Sequence, residues 1–572
     1  MKLSQWLPGA HLLASYKRSW LRSDIVAGIV LSTLLVPQGM AYAELAGLPV
    51  ITGLYTTVLC LLGYAVFGPS RILVLGPDSS LGPMIAATIL PIVGSNGNPE
   101  EAVALASLLA LLVGGVMVIA GIAKLGFVAD LLSRPTRIGY MNGLALTIFI
   151  GQLPKLFGFS VDANGLIREA VAFVQGLAAG KAVVAAVLIG LVSLGLVLAL
   201  DRWLPRVPGV LVAVIVAIAA TALLNLGDHG VELVGPLPQG FPPLTLPRAV
   251  TDLPLLVGGA LGISLVALTD TISTASAFAA RSGQEVNGNG EMVGIGAANI
   301  AAGFFQGFPV STSGSRTAVA EHAGAKSQVA GVVGAAVIVL MLLFVPGLLR
   351  NLPQPTLAAV VIAASISLAD IPGLVRLWRQ RPTEFFLAIA AFLGVALLGV
   401  LQGIALAVAL SILNVFRRAW WPYQTTLGRV PGMPGVHDRQ QHLDAEVLPG
   451  LVIFRFDAPL FFANTRAFRD HIRYFAATEL NLRWILIAAA SITDVDTTAA
   501  DMLAALDEEI NADNISLVFA ELKDPVREKL QRYELIGHLD PAHFFPTLDA
   551  AISAFREQTG ARWMPPGQAR PT

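Results

Sequence analysis

The sequence predicts an α-helical polytopic membrane protein of about fourteen spans in two inverted seven-span halves, followed by a small α/β domain. Three observations predict it: an apolar composition, a one-sided distribution of basic residues, and a matched pair of Gly/Pro/Ser breaks inside apolar spans. Of 572 residues, 55% are hydrophobic and 13% are charged, and the mean hydropathy is +0.70. A soluble domain carries about 25% charged residues. One globular core cannot bury this much apolar surface, so the bilayer is its solvent.

The apolar spans lie near 24–42, 50–67, 72–93, 101–122, 135–153, 181–200, 208–225, 254–280, 291–307, 313–323, 328–349, 355–371, 383–399 and 401–419. With the N-terminus in the cytoplasm, the inner loops hold Lys17, Arg18, Arg22, Arg71, Lys124, Arg134, Arg137, Arg202, Arg206, Arg281, Lys326, Arg376, Arg379, Arg381, Arg417 and Arg418. The outer loops hold Lys155, Arg168, Lys181, Arg248 and Arg350. This is the positive-inside asymmetry, and it puts both termini inside. Residues 1–23 form a cytoplasmic segment in which Trp6, Leu12, Leu13, Trp20 and Leu21 alternate with basic residues. They read as interfacial, and no apolar signal-peptide core precedes a cleavage site.

The net charge of −1 gives no basic field for nucleic acid. The single cysteine, Cys60, lies in an apolar run and reads as a small buried hydrophobe. There is no Walker A sequence, which argues against ATP-driven pumping by this chain. No catalytic constellation argues for an enzyme.

The transmembrane part covers 24–420, and a Pro/Gly-rich linker follows at 421–447. From 448 to 560 short strand-like runs (Leu451–Phe456, Trp484–Ala490, Ile515–Glu521) alternate with amphipathic helices at Thr465–Ala476, Thr497–Ile510 and Asp524–Tyr533. Residues 561–572 form a tail.

Polar groups inside hydrocarbon cost about 2.5–3.5 kcal/mol for a central charge. They are few: Gln38 in the first span, Asp78 at the break LVLGPDSSLGPM, Asp270 and Thr274 in the eighth span, and Ser313, Ser315 and Arg316 at the break GFPVSTSGSRTAV. Each break reads as an extended stretch followed by a half-helix whose N-terminus offers free N–H groups and a partial positive charge. Two such ends facing each other would hold an anion without a metal. Ser79 and Ser80 are candidate caps of the first half-helix, and Ser313 and Ser315, flanking Gly314, of the second. Arg316 adds a forked donor suited to oxyanions. A single such break is more often a packing kink; the symmetric pair favours a site. Asp270 and Thr274, spaced i, i+4, share a helix face, where the carboxylate can take a proton or both groups a sodium ion. Glu44, Glu321 and His322 sit nearer span ends and read as solvated or interfacial.

These residues resemble the SulP family of sulfate permeases and related anion transporters. The resemblance rests on VPQGMAYAELAGLPVITGLYT at 36–56, FGPSRILVLGP at 67–77, LVALTDTISTASAFA at 265–279, NGNGEMVGIGAANIAAGFFQGFPVSTSGSRTAV at 287–319 and GAKSQVAG at 324–331. In the soluble part, SITDVDTTAADML at 491–503 is similar to a STAS domain. The resemblance implies a core and a gate subdomain, substrate between the third and tenth half-helices, and a homodimer in the bilayer. It implies Gln38, Ser315 and Arg316 as anion contacts and places Asp270 where many members carry glutamate. The Asp-x-x-x-Thr pattern is similar to the sodium site of bicarbonate-transporting relatives. Their Gly-Ala-Thr run is replaced by Thr312-Ser313-Gly314. Asp78 departs from the apolar residue many members carry there. It reads as a helix cap, an Arg316 partner or a second protonation site. Asp496, Thr497 and Thr498 head a helix where regulatory STAS domains carry a phosphorylatable hydroxyl, with a cytoplasmic protein partner as the implied reader; plain capping is the other reading.

The leading expectation is proton-coupled uptake of an oxyanion, sulfate first, across a cytoplasmic membrane. Sodium-coupled bicarbonate uptake is second, and dicarboxylate or chloride transport third. An anion sensor signalling through the STAS domain and a passive channel are the other classes.

Overall fold

The computed structural model describes residues 8–9, 15–94, 98–127, 132–161, 163, 165–204, 207–244, 253–282, 286–535 and 541–565. Trp6, Leu12, Leu13, Arg206, Arg248, the Arg281 side chain and the tail from 566 lie outside the described residues. The chain divides into two compact units, Met1–Ser411 and Ile412–Thr572.

The first unit runs α1 (Leu21–Leu45), α2 (Val50–Phe67), β1 (Leu75–Gly76), α3 (Gly82–Val93), α4 (Pro99–Ile122), α5 (Arg134–Leu156), α6 (Leu166–Ala178), α7 (Val184–Trp203) and α8 (Gly209–Leu224). The order then repeats as α9 (Leu253–Ser282), α10 (Gly288–Phe304), β2 (Ser311–Thr312), α11 (Gly314–His322), α12 (Val329–Phe344), α13 (Gln354–Leu368), α14 (Ile371–Gln380), α15 (Pro382–Leu393, extended by a π turn) and α16 (Val400–Trp420), whose end belongs to the second unit. Among the described residues, seven helices are long and apolar enough to cross a membrane, and four shorter apolar helices accompany them.

Packing follows the repeat. Helix α10 packs on α4, and its repeat-related pair is α2 on α12. Likewise α1 on α12 matches α9 on α4, and α7 on α13 matches α15 on α5. Beta strands β1 and β2 pair antiparallel, as an inverted repeat requires at its own axis. The helices therefore sort into one bundle of α1–α4 with α9–α12 and another centred on α5, α7, α13 and α15.

Small residues bring these helices close, as membrane interfaces require. A Cβ on Gly114 would lie 2.6 Å from the Gly296 carbonyl, and one on Gly53 would overlap the Gly39 carbonyl. Helices α6 and α14 occupy equivalent places in the two halves, in stretches that read as loops. Each is short and amphipathic, and its polar positions hid it: Ile167, Val171 and Val174 of α6, and Ile371, Val375 and Trp378 of α14, turn outward.

The second unit holds a six-stranded sheet ordered β4-β3-β5-β6-β7-β8. Its strands are β3 (Gln424–Gly428), β4 (His437–Asp438), β5 (Leu451–Phe456), β6 (Trp484–Ala488), β7 (Ser516–Ala520) and β8 (Phe544–Phe545), with β5 to β8 parallel. On β5, Val452, Phe454 and Phe456 face one apolar layer and Leu451 and Ile453 the other, the period-two pattern of a strand covered on both faces. Helices α17 (Thr465–Thr478), α18 (Thr497–Ala512) and α19 (Asp524–Arg532) fill the first layer, and α20 (Leu548–Thr559) the second. The stretch read as a linker, 421–447, is corrected: β3 pairs antiparallel with β5, so these residues build the sheet.

Substitution at two glycines tests the helix packing. Gly53→Val pushes α1 from α2 and is expected to cost at least about 1–3 kcal/mol, seen as lost monodisperse protein and a lower melting temperature. Gly115→Ala, where a Cβ meets open space, is expected to leave both unchanged. In the second unit, Lys529 holds the Asp494 carboxyl, and Arg473 the Glu509 carboxyl, below their usual ranges. A depressed folded value contributes stability that is present above the unfolded value and lost as pH falls through the folded one. Thermal unfolding of residues 421–565 should therefore weaken below about pH 4, less steeply in Asp494→Asn with Glu509→Gln. Both pairs are half exposed, so the change is small.

Candidate functional site

The two breaks meet. Leu75 pairs with Thr312 and Gly76 with Ser311. The Ser313 N–H donates to the Val74 carbonyl at 3.2 Å, and the Val74 N–H to Thr317 Oγ1 at 3.1 Å. Each break contains a proline, Pro77 and Pro309, which lacks an N–H and pushes its predecessor toward extended backbone. Side chains from neighbouring helices close the remaining backbone groups. Asn299 Oδ1 accepts from the Val310 N–H at 2.9 Å, and Thr56 Oγ1 from the Phe308 N–H at 3.1 Å.

Arg316 is the largest side chain buried here, at 1% exposure. Its Nη1 donates to the Pro77 carbonyl at 2.6 Å, and its Nη2 faces the Gly76 carbonyl at 3.5 Å and Asp78 Oδ2 at 3.4 Å. A Cβ on Gly76 would sit 2.5 Å from Nη1, so glycine is needed for this approach. The guanidinium fork therefore grips the opposite break. Its Nε is buried without a hydrogen-bond partner.

The half-helix ends differ. At α11, Ser313 Oγ accepts from the Arg316 N–H at 3.5 Å and lies 3.0 Å from Ser315 Oγ. Gly314 and Ser315 are exposed, leaving this end open. At α3 the expectation that Ser79 or Ser80 caps the helix is corrected. The N-cap is Leu81, with no side-chain cap, and Asp78 closes the turn before the helix: Oδ1 accepts from the Ser80 N–H at 2.9 Å and from Ser80 Oγ at 2.7 Å, and the Asp78 carbonyl accepts from Leu81 and Gly82. A carboxylate of the chain itself thus stands in the turn ahead of the first half-helix, bonded to Ser80.

Asp270 lies across from this end, with Oδ2 3.4 Å from Ser80 Oγ. One serine hydroxyl stands between two carboxylates. Thr274, one turn on, has its Oγ1 4.0 Å from a Cβ placed on Gly314, so α9 touches both half-helices. Among the described residues no group of three or more His, Cys, Asp or Glu could hold a metal ion.

Gln38 is half-buried on α1, one turn before Tyr42, which faces Ser79 with the Asp78 and Arg316 charges nearby. The i, i+4 spacing puts Gln38 on that face. Tyr42, Asn299 and Thr56 escaped the sequence reading. Asn299, in an apolar run, carried a signal; Tyr42 and Thr56 resembled ordinary packing residues. Buried Glu291 was also missed. It accepts from Tyr64 Oη at 2.6 Å and from Ser70 Oγ, and Gln328 Nε2 donates to the Ser70 and Leu73 carbonyls at 2.9 Å. Glu44, read as solvated or interfacial, instead pairs with Lys155 at 2.8 Å.

In the second unit Asp496 caps α18, accepting from the Ala499 N–H at 2.8 Å and, through Oδ2, from the Phe462 N–H at 2.9 Å. Thr497 and Thr498 follow it, exposed.

The model of the sulfate permease family matches residues 21–391, and that of the STAS domain residues 442–551. The chain is 40% identical over 560 residues to "Probable sulfate transporter MT1781" of Mycobacterium tuberculosis (strain CDC 1551 / Oshkosh), covering 98% of this chain and 99% of that protein. It is 29% identical to "Probable sulfate transporter 3.3" of Arabidopsis thaliana, over 96% and 90% of the two chains. In fold it is similar to SLC26A9 (TM-score 0.89, 22% identity, 98% and 94% covered) and to the transmembrane domain of the cyanobacterial bicarbonate transporter BicA (TM-score 0.59, 20% identity, 70% and 98% covered). The chain belongs to the sulfate permease family, as a multi-pass membrane transporter with a C-terminal STAS domain.

Proposed function

We propose that this protein is a proton-coupled, secondary active importer of sulfate. The observation that carries the reading is the pair of carboxylates, Asp78 and Asp270, on either side of Ser80 beside the open end of α11. Arg316 pairs with one of these carboxylates, Asp78. With both ionised the site repels a dianion; one proton shared by the pair removes that repulsion. Sulfate then binds the N–H groups of Gly314 and Ser315, the Ser313 and Ser315 hydroxyls and the Gln38 amide, with the Arg316 charge behind them. The proton enters with the anion, so uptake follows the proton gradient. The bundle carrying the site moves against the α5–α7–α13–α15 bundle, exposing it alternately to each side. The relatives named as sulfate transporters support the choice of anion.

The chain sits in the cytoplasmic membrane as a homodimer with both termini inside. Phosphorylation at Thr497 or Thr498, or a cytoplasmic protein docked there, regulates it through the STAS domain.

Counterflow in proteoliposomes tests the substrate. Labelled sulfate should exchange in the absence of sodium and accumulate under an inward proton gradient. Exchange of bicarbonate or fumarate instead, or a strict sodium requirement, would point to the Asp270–Thr274 pair as a cation site and overturn the proton reading. Asp270→Asn and Asp78→Asn should each flatten the pH dependence of uptake, and an unchanged profile in both removes the shared-proton mechanism. Ser315→Ala should raise KM about tenfold with the fold intact, as the loss of about 1.5 kcal/mol from a hydrogen bond to a charged ligand. Arg316→Met leaves the Gly76 and Pro77 carbonyls unpaired and should cost about 3–5 kcal/mol in folding, read as lost yield rather than as a change in KM.

A further inference from the structure

A second site lies away from the crossing, where α1 emerges from the membrane region. A cavity of about 220 Å³ is lined by Lys17, Trp20, Arg71 and Gln328, among others. Lys17 Nζ lies 5.5 Å and the Arg71 guanidinium 6.0 Å from the centre of the Trp20 ring. The indole thus holds two cations from separate segments at one place. Both side chains are exposed, and neither forms an ion pair among the described residues. The nearby carboxylate is turned away: Asp24 is fully buried and accepts from the Lys326 N–H at 2.6 Å and from Ser327 Oγ at 2.8 Å. Among the described residues, two like charges therefore share one indole without a counterion, an arrangement that favours an anion beside them.

The surroundings say which anion. On α1, which begins at the residue after Trp20, Leu21, Ile25 and Ile29 are exposed at 46%, 38% and 48%. Their i, i+4, i+8 spacing makes one apolar stripe along the helix. A ligand with a phosphate head and an acyl tail matches both parts; a free phosphate matches only the first. Trp at the boundary with basic neighbours is the side-chain chemistry of a lipid interface.

We infer that Lys17, Trp20 and Arg71 form a binding site for the phosphate headgroup of an anionic phospholipid, whose acyl chain lies along Leu21, Ile25 and Ile29. The site touches the transport machinery through Gln328, which lines the cavity and holds the Ser70 and Leu73 carbonyls on the segment leading into β1.

The test uses the purified full-length protein in detergent, titrated with phosphatidylglycerol, phosphatidylcholine, glycerol phosphate or inorganic phosphate while thermal unfolding is followed. Phosphatidylglycerol should raise the melting temperature at lower concentration than phosphatidylcholine, and the soluble phosphates should not reproduce it. Lys17→Ala with Arg71→Ala should weaken the phosphatidylglycerol response about tenfold to thirtyfold, from about 1 kcal/mol per basic side chain. The charge-preserving pair Lys17→Arg with Arg71→Lys should retain it. An equal response to phosphatidylcholine, an unchanged response in the alanine pair, or the same shift with inorganic phosphate would each overturn the assignment.

Discussion

Everything at the centre of this fold depends on one constraint: a helix broken in hydrocarbon must find partners for its own backbone. Neither break can do so alone. Each carries a proline that removes a donor, and each leaves carbonyls without a helical partner. Their solution is mutual. Beta strands β1 and β2 pair across the repeat axis, and Arg316 from one half closes the Gly76 and Pro77 carbonyls of the other. Burying a guanidinium is expensive unless its donors are filled. Here carbonyl oxygens and the Asp78 carboxylate fill the Nη positions and leave Nε unpaired, so the same contacts close the break and satisfy most of the arginine.

That closure makes a symmetric scaffold asymmetric. The two half-helix ends occupy equivalent places in the repeat, yet one follows a turn closed by Asp78 and has no side-chain cap, and the other is capped by Ser313. A serine cap consumes one N–H and brings no charge. An aspartate in the turn ahead of a helix brings the charge type that a helix end attracts. The end at Gly314 and Ser315 is exposed, while the turn ahead of the other carries Asp78, linked through Ser80 to Asp270.

Much of this was legible in the sequence because hydrophobic length and basic asymmetry are properties of composition along the chain. The spans at 50–67 and 101–122 fall within two residues of α2 and α4. The breaks were legible too, since Gly, Pro and Ser seldom cluster inside an apolar span unless the helix is interrupted there. What stayed hidden depends on direction. A sequence shows that Arg316 is charged but not that it points at carbonyls, and it shows Asp78 and hydroxyls at 79 and 80 but not that none of them caps the helix. Helices α6 and α14 were hidden because a short amphipathic helix has the average polarity of a loop. Residues 424–428 were hidden because prolines and glycines crowd the residues around them, and five residues of strand are too few to outweigh these.

The distribution of close contacts also says where the first unit can yield. Within the bundle that holds the site, glycines bring backbones together at Gly39–Gly53 and Gly114–Gly296, and the crossing ties α3 and α11 to the same body. Distorting the site would break buried hydrogen bonds that no water can replace. Between the bundles stands the Glu44–Lys155 pair, joining α1 to α5 with the lysine about one-third exposed. An ion pair in such a setting contributes about 0–1 kcal/mol, and each partner can be solvated when it opens. The costs are unequal, and the motion proposed above follows the cheaper one: the two bundles would part at the Glu44–Lys155 pair while the candidate anion site stays intact within its own.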